Sequence, residues 1–127
     1  MKLAVLVLLF SIFAYINAGY CDTCGSSSYV DISSWCSKYS GWSQECCKCI
    51  AEHESSGNIH ACNKNTDASI DVGLWQINSR NWDACNGGKA PCTASENLAC
   101  AKDVFGWGSH TWKYWSTCST CGCCHKA

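Results

Sequence analysis

Glu54 and Asp71 stand 17 residues apart, and the sequence around each sets it in a different environment. Helical spacing runs from Ser43, a good N-cap, to Ser56, with Gly57 as the C-terminal stop. Within that stretch Cys47, Ile50, Ala51 and Glu54 recur at helical intervals, so the acid shares the inward face. There the negative end of the helix dipole and apolar neighbours both disfavour its charged form. Asp71 instead falls among Asn65, Gln76 and Asn78, whose amides can donate to a carboxylate and hold it ionised. One protonated and one ionised carboxyl facing a common substrate are what cleavage of a glycosidic bond requires. Spacing alone leaves open an exposed helical glutamate and a turn aspartate.

The elements that must position these acids are short. Asn63 to Ser69 is a run of turn formers, and Ile70 to Asn78 alternates at period two, which predicts a small antiparallel hairpin. On its return strand Ile70, Val72 and Leu74 take one face, and Asp71, Gly73, Trp75 and Ile77 take the other. A cysteine-rich loop is expected from Asp83 to Cys92. A second helix follows from Thr93 to Phe105, opened by a capping box of Thr93 and Glu96 and carrying Leu98, Ala101, Val104 and Phe105 on one side. The tail to Trp115 bears Trp107, Trp112 and Trp115, ahead of a terminal cysteine cluster. Together these predict an α+β fold with a helical lobe and a small antiparallel sheet.

At 127 residues there is room for one domain. Fourteen cysteines, about 11% of the chain, point to a disulfide framework formed in an oxidising compartment. Met1 and Lys2 followed by the apolar run Leu3 to Ala14 and the small Ala18 read as a signal peptide over residues 1–18, which leaves 19–127 as the folded domain. The apolar run is shorter than the roughly 20 residues a spanning helix needs. Without Lys2, eight basic residues face ten acidic ones, a net charge of −2 that supplies no basic stripe for nucleic acid or anionic membrane. Four histidines, His53, His60, His110 and His125, turn that balance positive on acidification.

The run His53-Glu54-Ser55, followed by Asn63-Lys64-Asn65-Thr66-Asp67-Ala68-Ser69-Ile70-Asp71-Val72-Gly73-Leu74-Trp75-Gln76-Ile77-Asn78-Ser79-Arg80, resembles the central signature of the c-type lysozymes. The similarity is dense from Cys49 to Arg80 and looser through Cys100-Ala101-Lys102 and Trp112 to Cys118. Lysozyme is itself the type case of the split-carboxylate argument, so the two lines of reasoning are not independent. The resemblance implies a lysozyme-like fold, with Glu54 as general acid/base and Asp71 as the catalytic carboxylate supported by Asn65 and Asn78. It also implies sugar contacts from Gln76, Trp82 and Trp112, and a clamp on an N-acetyl group from the backbone at Asn78 and Thr111. Trp112 is expected against Glu54, and Trp75 and Trp107 in the core. A Cys49–Cys118 bridge from helix to tail is implied, with one of Cys21 and Cys24 reaching the cluster Cys121 to Cys124.

The implied activity is hydrolysis of the β-1,4 bond between N-acetylmuramic acid and N-acetylglucosamine in peptidoglycan, without a cofactor or metal. The implied setting is a monomer, secreted or held in an endolysosomal or phagosomal lumen; the charge balance, the four histidines and the two carboxyls together predict an optimum at roughly pH 4 to 6. Some features depart from the family pattern: Asn81 where many members carry an exposed Trp, a short Cys85 to Cys100 segment, extra cysteines and a slightly acidic charge. Three other readings exist. Cys118, Cys121, Cys123, Cys124 and His125 lie close enough to ligate zinc, although an even count in a secreted chain favours disulfides. An inactive carbohydrate- or calcium-binding relative would lack one of the two acids or bear an acid cluster near Glu96 to Asp103. A membrane-active antimicrobial protein would need a cationic amphipathic face.

Overall fold

The computed structural model describes residues 19–127; the segment 1–18, read above as a signal peptide, lies outside the described residues. Among the described residues four helices and a three-stranded antiparallel sheet follow in the order α1 (Ile32–Cys36), α2 (Gln44–Ser55), β1 (Cys62–Lys64), β2 (Ile70–Val72), β3 (Ile77–Asn78), α3 (Trp82–Asn86) and α4 (Ala94–Trp107). Single 3₁₀ turns at Ser79–Asn81 and Ser116–Cys118 complete the chain. The sheet is ordered β1-β2-β3.

Helix α2 forms where the spacing places it. The Ser43 hydroxyl accepts from Cys46 N at 3.2 Å, satisfying one of the four open N–H groups of the first turn. Cys46, Cys47, Ile50 and Ala51 are its buried stripe. It stops at Ser56, which is left-handed (φ 55°), and Gly57 (φ 90°), where a Cβ would stand 3.1 Å from Val30 O. Ser55 Oγ then donates to Leu74 O at 2.8 Å, fastening the helix end to the connection between β2 and β3.

That connection differs from the continuous strand the alternation predicts. Strand β2 ends at Val72, and Gly73 to Gln76 form a turn before β3 begins. The cause is Asn97, wholly buried on α4. Its Oδ1 accepts from Trp75 N at 2.8 Å, and its Nδ2 donates to Val72 O (2.9 Å) and Pro91 O (3.0 Å). A Cβ on Gly73 (φ 86°) would overlap that amide, so the close approach requires glycine. In consequence Val72, Leu74, Trp75 and Ile77 are all buried, in place of an alternation of faces.

Helix α4 carries the expected capping box, with Thr93 Oγ1 accepting from Glu96 N and the Glu96 carboxylate reaching back to Thr93 N. It runs two residues beyond Phe105. A five-residue helix, α3, occupies the start of the expected loop from Asp83 to Cys92. The core joins α2 and α4 through an aromatic cluster in which Trp112 lies 5.0 Å from Trp42, 5.2 Å from Phe105 and 5.0 Å from Trp115, centroid to centroid.

All fourteen cysteines pair: Cys21–Cys62, Cys24–Cys92, Cys36–Cys47, Cys46–Cys123, Cys49–Cys121, Cys85–Cys100 and Cys118–Cys124. The expected Cys49–Cys118 bridge is thus corrected. The tail after Cys118 turns back tightly, with Cys123 N donating to Cys118 O, so Cys118 closes on Cys124. Cys121 and Cys123 then meet Cys49 and Cys46, which lie three residues apart on one face of α2. Neither Cys21 nor Cys24 reaches the terminal cluster; they hold the N-terminal segment to β1 and to the stretch before α4. Every cysteine of the zinc alternative is in a disulfide, which leaves no thiolate to act as ligand.

Candidate active site

A cleft of about 720 Å³ opens between the sheet and the helices, with Glu54 on one wall and Asp71 on the other. Glu54 arrives from the last turn of α2, one residue before the Ser55 bond to Leu74 O. It is half-buried, and its pKa is raised chiefly by that burial, with the nearby negative charge of Asp71 acting in the same direction. Thr117 Oγ1 donates to Glu54 Oε2 at 2.6 Å and opposes the shift, as does the positive side of His53. The environment therefore favours the protonated acid, as the sequence predicts, though Thr117 has no counterpart in the sequence reading.

Asp71 occupies the middle strand, paired across the sheet with Asn63 and Asn78. Asn78 Nδ2 donates to its Oδ1 at 2.8 Å and Asn65 Nδ2 to its Oδ2 at 3.1 Å, so each carboxylate oxygen is held by one amide. The amides are themselves oriented. Asn78 Oδ1 accepts from Arg80 N, and both amides also donate to Ser69 Oγ, whose hydroxyl bonds Asp67 Oδ1. Asp67 in turn meets Arg80 at 2.7 Å on the surface, and the Ser69 hydrogen bonds hold its carboxyl below the usual range. This polar ladder fixes Asp71 without burying it.

Other expected contacts fall differently. Gln76 lines the cleft, but its amide donates to Ala61 O and Gly73 O and its Oε1 accepts from Asn63, so it does not hold Asp71. Trp112 is fully buried in the aromatic cluster and presents no face to a sugar. Trp115 stands on the cleft wall in its place, 5% exposed, its indole N–H donating to Trp75 O at 2.8 Å. Trp82 and Thr111 are half-buried outside the cleft lining, with Trp82 Nε1 bonded to Ile77 O and Thr111 Oγ1 to Gly108 O. Trp107, expected in the core, is 46% exposed and lines the cleft, while Trp75 is fully buried as expected. The signal for Trp107 was its place three residues after Val104, on the same face of α4.

Comparison with known proteins agrees with this arrangement. Residues 39–117 match the family described as "Lysozyme like domain". A protein named Lysozyme C from Crax fasciolata is 37% identical over 94 residues, covering 61% of this chain and 71% of that one. Another Lysozyme C, from Scophthalmus maximus, is 42% identical over 65 residues, covering 51% of this chain and 44% of that one. The matched region contains both acids, the whole sheet and the two long helices, and by that coverage the chain belongs to the lysozyme-like family.

Proposed function

We propose that this protein is a muramidase that hydrolyses the β-1,4 bond between N-acetylmuramic acid and N-acetylglucosamine in bacterial peptidoglycan. The observation that carries the reading is the contrast across the cleft: a desolvated Glu54 on the helical wall and an amide-clasped Asp71 on the sheet wall. In this scheme the protonated Glu54 gives its proton to the glycosidic oxygen as the bond breaks. Asp71 stabilises or captures the positively charged sugar ring, and Glu54, now ionised, takes a proton from the water that completes the reaction. Asn65 and Asn78 keep the Asp71 oxygens aimed, and the Asn78 backbone is a candidate hold on an N-acetyl group.

The seven disulfides fit an oxidising, extracellular or vesicular setting, and we take the protein to act as a monomer, secreted or in the lumen of endolysosomal or phagosomal vesicles. The test is clearing of a bacterial cell-wall suspension. Glu54→Gln keeps shape and removes the proton, and general acid catalysis contributes about 10²–10⁴-fold, so the variant should lose at least that order of rate. A folded Glu54→Gln protein that lyses walls near the wild-type rate overturns the assignment.

A further inference from the structure

The two walls of the cleft differ in kind. From the sheet side come Asn65, Ser69, Asp71, Asn78, Arg80 and Asn81, and among the described residues no aromatic ring lines that wall. Every aromatic residue lining the cleft stands on the helical side: Trp107, Tyr114 and Trp115. Trp115 shows only an edge and spends its N–H on Trp75 O. Trp107 and Tyr114 are 46% and 60% exposed, two of the four most exposed large aromatic side chains among the described residues.

Their exposure is shared and local. Tyr114 packs over the backbone beside Trp107: a Cβ on Gly108 would come within 3.2 Å of Tyr114 Cδ2 and within 3.2 Å of Thr111 O. Glycine at 108 therefore lets the Tyr114 ring lie against the chain immediately after Trp107. Trp107 is 46% exposed and lines the cleft, so its indole is accessible to a bound group. A flat apolar ring with one N–H donor is suited to the C–H face and rim hydroxyls of a hexose.

We propose that Trp107, flanked by Tyr114, is the sugar-stacking platform of this cleft, so that a glycan ring lies with one face on the helical wall and turns its polar rim to the asparagines of the sheet wall. The proposal rests on the hydrolase reading above and names the residue that sets glycan affinity in it. Asn81, at the lip of the sheet wall, offers hydrogen bonds where a ring would be needed to stack from that side. The platform has thus a single side.

The experiment is calorimetric titration of an alternating N-acetylglucosamine/N-acetylmuramic acid hexasaccharide into Glu54→Gln protein, which cannot turn it over. Adding Trp107→Ala should weaken binding about tenfold, the order expected for one lost stacking contact, Tyr114→Ala should weaken it less, and Trp107→Phe should restore most of the loss. In the active enzyme Trp107→Ala should raise KM on the same sugar far more than it lowers kcat. Near-UV circular dichroism checks the fold, and if Trp107→Ala is not folded Trp107→Gln carries the same comparison. Binding by the Trp107 variants within twofold of the Glu54→Gln parent overturns the platform and leaves the hydrolase reading standing. No binding by that parent, together with no lysis by the wild type, overturns both.

Discussion

Glu54 is held between opposing influences, and Thr117 is the one that can be removed cleanly. Burial and the neighbouring Asp71 push the Glu54 proton on, while the Thr117 hydroxyl, donating at 2.6 Å, favours the charged carboxylate. Thr117→Val keeps the volume and deletes the donor. With the opposing hydrogen bond gone, the Glu54 pKa rises further above its ordinary value, and the protonated fraction persists to higher pH. Since the acid must be protonated to act, the alkaline limb of the lysis rate should move upward in Thr117→Val and the acid limb should stay where it is. Rates of wall clearing across pH for the two proteins check this; a limb that stays put or moves down would show that Thr117 does not bias the ionised form. Thr117 was not visible in the sequence because it lies 63 residues from Glu54, and the packing of Trp112 and Trp115 and the disulfides of the tail bring it there.

At the scale of elements, Asn97 joins α4 to the turn that follows Asp71. Its amide satisfies Trp75 N, Val72 O and Pro91 O in a fully buried site. Asn97→Ala strands those three backbone groups away from water, at about 1–3 kcal/mol for each group left unpaired, so the loss should be about 3 kcal/mol or more. For a domain of this size that is a fall in Tm on the order of 10 °C, readable by calorimetry, and a shift under about 2 °C would mean the amide is dispensable. The same residue explains what was and was not legible. Caps, periodicity and turn formers gave α2 and α4 to within two residues and the start of the Asp71 strand, because those signals are local. The period-two run through Ile77 failed as a single strand because a buried polar side chain on a helix 22 to 25 residues away captured its backbone. Trp112 and Trp115 share a helical spacing, and three residues decide which of the two is buried whole and which meets the cleft. That choice depends on how the tail is tied down. The tail's cysteines are degenerate in sequence: Cys118, Cys121, Cys123 and Cys124 lie within seven positions, and the geometry of the turn selects among them.

For the whole molecule the governing quantity is charge against an anionic substrate. The full chain carries −1 at neutral pH, so long-range attraction to a bacterial wall is absent there. His53, His110 and His125 are exposed and His60 half-buried. The Nδ1 atoms of His53 and His60 face the Cys49 and Ser26 carbonyls at 2.9 and 2.7 Å. An imidazole ordinarily gains a proton between about pH 7 and 5, so four of them on a chain of charge −1 turn the balance positive on acidification. Acidification also favours the proton on Glu54, whose pKa burial raises. Both effects favour a mildly acidic optimum, about pH 4 to 6. They separate by salt, since wall association is screened over about 10 Å at 0.1 M whereas a reaction inside the cleft is not. At about pH 5, raising the ionic strength from roughly 0.02 to 0.5 M should slow lysis of intact walls severalfold and leave hydrolysis of a soluble hexasaccharide nearly unchanged. An optimum above about pH 7, or equal salt sensitivity on the two substrates, would refute the charge argument and the acidic compartment that goes with it.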